Sequence, residues 1–259
     1  MDTSTKLTTN NLQSSSFLAP LSSSAGLQDS ISSNLSARAS SIGKTLIVNS
    51  TSDTVNDSDG VTTLREAINT ANTDASEDSI IFDSSIFSTG QKITLNLGEL
   101  DITHSLNIFA PVDFNTGQQL VTISGNNNSR VFEITGGVDV SLSGLIITDG
   151  RAANDNGGGI KNSGNLTLSN SIVRNNSAGN VGGGGGGIWS NGATTVSNSS
   201  ISNNESNGNV FSNGGGIYIS NGALTLSNST VSSNSASDGS DIFNDSGIIT
   251  VSNSSLSSV

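Results

Sequence analysis

The chain offers few residues for chemistry. Its 259 residues include one His, His104, and no Cys, so there is no disulfide frame and no thiolate metal centre, and little is left for transition-metal ligation. The most specific arrangement is Lys161, Trp189, Tyr218 and Phe243, each directly after an Ile in a recurring run and including the only Trp and the only Tyr. Stacked on successive repeats, these side chains would form either a stabilising cross-strand ladder or a binding strip for sugar rings or a partner surface. The bases Arg130, Arg151, Lys161 and Arg174 fall at different places in the repeat, and so do the acids Asp149, Asp155, Glu205, Asp238, Asp241 and Asp245. Convergence on a scissile bond, which a polysaccharide lyase or hydrolase needs, is therefore not expected. Asp53, Asp57 and Asp59 share one loop, and Asp238, Asp241 and Asp245 another. Calcium is the one ion these loops suggest, without EF-hand spacing, and solvated acidic turns are the simpler reading. No other cofactor is implied.

What must position such residues is a repeat. Ser169-Asn170-Ser171, Ser197-Asn198-Ser199, Ser227-Asn228-Ser229 and Ser252-Asn253-Ser254 align, and the same flanking pattern extends backward to Gly144, Gly125 and His104. Gly visits positive φ freely, and Asn and His are enriched among the other residues that do. A left-handed corner is therefore predicted at His104, Gly125, Gly144, Asn170, Asn198, Asn228 and Asn253. Two and four residues before the corner come Val140 and Leu142, Leu166 and Leu168, Thr194 and Val196, Leu224 and Leu226, Ile249 and Val251. Period two puts each pair on one face of a strand. Three residues after it come Ile147, Val173, Ile201, Val231 and Leu256, and a third run reads Gly-Gly-Gly-Ile at 157–160, 185–188 and 214–217, with a degenerate copy at 239–242. Ser171, Ser199, Ser229 and Ser254 are expected to stack where the chain bends. Three short strands per repeat predict an all-β chain: a right-handed parallel β-helix, each coil burying its few aliphatics only against its neighbours.

Ahead of these repeats, residues 1–43 are Ser- and Thr-rich and read as a flexible leader whose short apolar cluster, Phe17 to Leu21, is no secretory signal. Residues 44–111 read as a capping module. Thr63 and Glu66 have capping-box spacing, and Leu64, Ala67, Ile68 and Ala71 fall on one face of a helix at about 63–72 that would cover the N-terminal end of the solenoid. The coils proper are expected over 112–259, ending without a capping pattern, which leaves end-to-end self-association open. The run Leu64-Arg65-Glu66-Ala67-Ile68 and its flanks resemble a module named for the sequence Cys-Ser-Leu-Arg-Glu-Ala, with Thr62 and Thr63 here in place of Cys and Ser. The Gly-Gly-Gly-Ile and Ser-Asn-Ser elements resemble the repeats of polymorphic outer-membrane proteins and related autotransporter passengers. These resemblances imply a bacterial surface or secreted β-helical protein.

Composition fits that picture. Ser, Asn and Gly make up 114 residues, about 44 % of the chain, too many for a large globular core yet tolerable where turns and outer faces dominate. The net charge is −12, with no Lys or Arg after Arg174, which argues against nucleic acid and anionic lipid as partners. No apolar run is long enough for a membrane span. The function expected is non-catalytic: an adhesin-like or structural rod, extracellular or at the cell surface, that presents an outer face to a glycan, a matrix component or another subunit. Without a recognisable signal peptide, a leaderless route or a cytoplasmic role stays open. The rivals are a polysaccharide-acting β-helix enzyme and a self-associating spacer.

Overall fold

The computed structural model describes residues 43–179, 183–208 and 212–257, all within one compact unit, residues 40–259. Apart from Gly43, the expected leader lies outside the described residues. Alternating aliphatic and polar residues build three long parallel sheets whose strands recur in rotation along the chain, which makes a right-handed parallel β-helix. The first sheet runs Thr45–Val48, Asp78–Phe82, Leu106–Phe109, Asp139–Ser143, Asn165–Ser169, Ala193–Ser197, Ala223–Ser227 and Ile248–Ser252. The second runs from Gln91–Thr94 to Ser255–Leu256, and the third from Leu100–Ile102 to Ile242–Asn244. Strands on both sides of residue 111 pair directly, Leu106 with Val140 and Ile108 with Leu142, so the capping module and the coils share the same sheets.

The core is a set of stripes in register. Leu142, Leu168, Val196 and Leu226 stack in the first sheet, Ile147, Val173, Ile201 and Val231 in the second, and Phe132, Ile160, Ile188 and Ile217 in the third, all fully buried. Burying one such side chain is worth roughly 1.5–3 kcal/mol, and each coil realises that only when another coil lies on it. Val251 stacks on Leu226 but has no further strand upon it among the described residues, and is 42 % exposed.

The corner is left-handed at Gly144 (φ 75°), Asn170 (48°), Asn198 (49°), Asn228 (48°) and Asn253 (48°). His104 and Gly125 do not belong to this column, and neither has positive φ. Register places Ala110 opposite Gly144, because Ile108 pairs with Leu142. Gly125 instead follows Ser124, which pairs with Thr148, so it sits at the next bend; a Cβ there would lie 2.3 Å from the Ser129 carbonyl oxygen. His104 lies between the third and first sheets, its Nδ1 3.1 Å from Thr103 Oγ1. Beyond the corner, Ser171, Ser199, Ser229 and Ser254 do stack. Each hydroxyl accepts from the amide one coil before, Leu145, Ser171, Ser199 and Ser229, at 3.1–3.2 Å, and donates to the carbonyl two residues upstream.

Helix α1, Leu64–Ala71, covers one end. Thr63 is its N-cap: Thr63 Oγ1 accepts from Glu66 N (3.2 Å), and Glu66 Oε2 accepts from Thr63 N (2.8 Å). Its buried face, Leu64, Ala67, Ile68 and Ala71, lies against the first strands of the first and third sheets. Arg65 locks the helix to its surroundings by donating to Asp53 (2.7 and 3.2 Å), Gly98 O (2.7 Å) and Glu99 O (2.8 Å).

Candidate functional site

Each third-sheet strand offers one residue after its first buried apolar residue, Leu100, Phe132 or an Ile, and parallel register stacks these into a column: Asp101, Glu133, Lys161, Trp189, Tyr218 and Phe243. The sequence-predicted strip is thus continuous, and it extends back into two acids that sequence reasoning did not include. Tyr218 and Phe243 stack with centroids 5.3 Å apart and an interplanar angle of 14°. Their facing ring surfaces are spent on each other. Tyr218 keeps only 8 % exposure, and burial, followed by the nearby Asp245 charge, pushes its hydroxyl pKa up. Trp189 and Phe243 remain half-buried.

At the other end of the column the charges meet, contrary to the scatter expected from the sequence. The Arg130 guanidinium, 4 % exposed, donates to Glu99 (2.6 Å), Glu133 (2.7 Å) and Asp155 (2.5 Å), and its Nε donates to Gly157 O (3.0 Å). Lys161 Nζ reaches Asp155 (3.0 Å) and Glu133 (3.2 Å). Residues at unrelated sequence positions converge because Arg130 and Asp155 stand just before two successive third-sheet strands, whereas Glu133 and Lys161 sit on them. The environment separates the acids. Burial raises the pKa of Glu99, with the Arg130 charge working against it, and burial together with the Glu133 charge raises that of Asp101. For Asp155 burial is outweighed by the Asn156 amide and by hydrogen bonds from Lys161 and Arg130, so its carboxyl is held low. For Lys161 burial opposes the charge, but Asp155 and Glu133 hold its pKa high.

The loop proposed for calcium is otherwise engaged. Asp53 is buried, and besides Arg65 its carboxylate accepts from Asn96 N (2.6 Å) and Leu97 N (2.9 Å). Burial alone would raise its pKa, yet the Arg65 hydrogen bond and these two amides bring it below the ordinary value. Asp53 therefore serves to anchor the cap. Asp57 and Asp59 are exposed, and Asp59 Oδ1 accepts from Val61 N (3.0 Å). In the other acidic group, Asp241 is fully buried and ends a ladder that the sequence reading missed. Asn176 Nδ2 donates to Asn204 Oδ1 (2.9 Å), Asn204 Nδ2 to Asn234 Oδ1 (3.0 Å), and Asn234 Nδ2 to Asp241 Oδ1 (2.9 Å). The same Nδ2 atoms donate to Ile147 O, Val173 O and Ile201 O. The signal was available: each Asn stands three residues after an inward aliphatic, Val173, Ile201 or Val231. Among the described residues, one group of three acids brings a carboxylate oxygen of each within 4.8 Å of the others: Glu99, Asp101 and Glu133.

Fold and site together define a helix-capped parallel β-helix with one outward column that is charged at one end and aromatic at the other. Comparison with protein-family models, curated proteins and solved structures finds no match for the chain. No helix among the described residues is long and apolar enough to cross a membrane.

Proposed function

We propose that the chain is a non-catalytic, adhesin-like rod of the cell surface or the secreted fraction that binds a glycan or a matrix component through its third-sheet face. The observation that carries this reading is the column Lys161, Trp189, Tyr218, Phe243, in unbroken register along the third sheet. Trp189 has the most to offer a ligand: it lies between the ion-pair cluster and the Tyr218–Phe243 stack, and it stays partly open. Its indole supplies apolar area and an N–H donor, and Lys161 on the neighbouring strand supplies a polar partner for hydroxyl groups. The test is binding of the full chain to an array of neutral, acidic and amino-sugar glycans. Trp189→Ala, with an unchanged circular dichroism spectrum, should abolish the strongest signals, and equal binding by the variant would overturn the reading.

A second reading, glycoside hydrolysis, is favoured by one observation: Glu99, Asp101 and Glu133 lie close together with pKa values of Glu99 and Asp101 raised, and paired carboxylates in unlike environments are what acid–base cleavage uses. Two of the three carboxylates lie against other charged groups: Glu99 binds Arg130, and Glu133 binds both Arg130 and Lys161, an arrangement suited to structure. Release of reducing or unsaturated ends from a panel of polysaccharides, lost in Glu133→Gln, would establish this reading over the first.

A further inference from the structure

The chain contains five Asn-Gly pairs, Asn156-Gly157, Asn191-Gly192, Asn207-Gly208, Asn213-Gly214 and Asn221-Gly222. Such a pair can modify itself. The glycine nitrogen, once it gives up its proton to base in solution, attacks Cγ of the asparagine. A new C–N bond closes a succinimide ring, the carboxamide C–N bond breaks, and the carboxamide nitrogen leaves as ammonia. Water then opens the imide at one carbonyl or the other, giving Asp or isoaspartate. Glycine permits the approach because it has no Cβ. In a folded chain the outcome depends on where the glycine N–H is held, since the reacting atoms must first come within about 3–3.5 Å of each other.

The fold treats the five pairs differently. Gly157 N donates to Gly184 O (3.1 Å) and Gly214 N to Asp238 O (3.0 Å), so both amides are committed to a neighbouring coil. Gly222 N makes no backbone hydrogen bond among the described residues and donates instead to Oδ1 of Asn221 itself, at 2.9 Å. That contact sets the nucleophile against the carboxamide it would attack, on an exposed residue, and no bond between coils has to break first. Among the described residues no such contact joins Asn191 to Gly192 or Asn207 to Gly208. Packing demands the glycine: Gly222 takes φ 94°, and a Cβ there would lie 2.3 Å from Gly192 O. Packing does not demand the asparagine, because register puts Ser163 and Ser246 at the same place in other coils.

We infer that Asn221-Gly222 is a self-modification site, which deamidates in the folded chain ahead of the other four pairs. It joins the third-sheet strand Ile217–Ile219 to the first-sheet strand Ala223–Ser227, and Gly222 O accepts from Ile248 N of the next coil (2.9 Å). Isoaspartate lengthens the main chain by one methylene where this corner packs on Gly192, and so loosens the hold on Ile248–Ser252. The Asp product adds a charge but keeps the backbone. None of this depends on glycan binding by the third sheet.

The experiment is to age the full folded chain in mildly alkaline buffer made with heavy-oxygen water and to follow each pair by peptide mass spectrometry. Asn221 should convert about tenfold faster, or more, than any other pair, and in urea, where the contact to Gly222 N is gone, the five rates should come together. Asn221→Gln should suppress the modification. Amide exchange in Ile248–Ser252 should quicken in the aged parent, and should stay at the fresh parent's rate in aged Asn221→Gln and in fresh Asn221→Asp. Conversion of Asn221 no faster than that of Asn156 or Asn213 in the folded chain, or the same excess at Asn221 in urea, would overturn the proposal.

Discussion

Asp53 shows how a residue suited to one chemistry is claimed by another. An acidic loop suggests a cation, but the one buried carboxylate in it already holds a guanidinium and two backbone amides, and removing one partner of such a buried pair costs about 3–5 kcal/mol. Asp53→Ala should therefore lower the free energy of unfolding measured in urea by about that much. The pH dependence has a definite sign. Because the folded pKa is depressed, the contribution of Asp53 is complete above the unfolded aspartate value of about 3.9 and is lost as pH falls through the lower folded value. The stability difference between the parent chain and Asp53→Asn should be flat from pH 7 to about 5 and shrink below pH 4. Glu99 and Asp101 act oppositely: with raised folded values, their effect on stability grows more favourable as pH falls through the carboxylate range. Asn204 makes a comparable case without charge. Replacing it with Ala strands two donors of Asn176 and the Val173 carbonyl, and each buried unsatisfied group costs about 1–3 kcal/mol. A loss of about 3 kcal/mol in chemical unfolding is expected, with Asn204→Asp no better because it adds a buried charge.

Among the elements, α1 is the most economical, since eight residues close one end of the core. Thr63→Ala removes the hydroxyl that caps it and should cost about 1 kcal/mol, while Leu64→Ala, at a fully buried position, should cost about 2–5 kcal/mol. Both are measured by equilibrium unfolding, and a larger effect from Thr63→Ala than from Leu64→Ala would contradict a helix held mainly by its buried face. This helix was legible because its signals are local: cap, apolar face and acidic N3 lie within nine residues, Thr63 to Ala71. The coils after Gly144 were legible for a related reason, since a stacked register forces the same residue type to recur at each corner. The reading failed at His104 and Gly125, where the coils differ. Between Phe109 and Val121 the chain makes a small hairpin, with Val112 pairing antiparallel to Gln119, and that insertion moves the corner to Ala110. Types alone could not show this, because Gly and His are as acceptable at other bends. The Asn ladder escaped for the opposite reason: Asn is so frequent in these turns that a buried Asn does not stand out. The charged cluster escaped because its members come from different positions of different coils, which only register brings together.

At the scale of the whole solenoid, the Ser-, Asn- and Gly-rich composition and the stacked coils are two sides of one arrangement. A globular core deepens with size, whereas a solenoid keeps one aliphatic stripe per strand however many coils it has, so stability comes from each coil and its two interfaces. Hydrogen bonding follows the same rule, because the amides and carbonyls of a strand are satisfied only by the coils on either side. Strands with two neighbours, such as Asn165–Ser169 and Ala193–Ser197, should accordingly be the slowest to exchange amide hydrogens. Ile248–Ser252, which pairs on one side only and leaves Ile248 and Val251 exposed, should be the fastest among the described strands of the first sheet. Helix α1 makes the opposite end differ: Thr45–Val48 is also an edge strand, but it lies against the helix and contributes the fully buried Val48, so it should exchange more slowly than Ile248–Ser252. Native-state exchange read by mass spectrometry on overlapping fragments measures this directly. A graded profile from slow interior coils to a fast Ile248–Ser252 coil is expected of nearest-neighbour stabilisation. Uniform protection of all eight strands of the first sheet would mean that the chain unfolds only as a whole, and would contradict it.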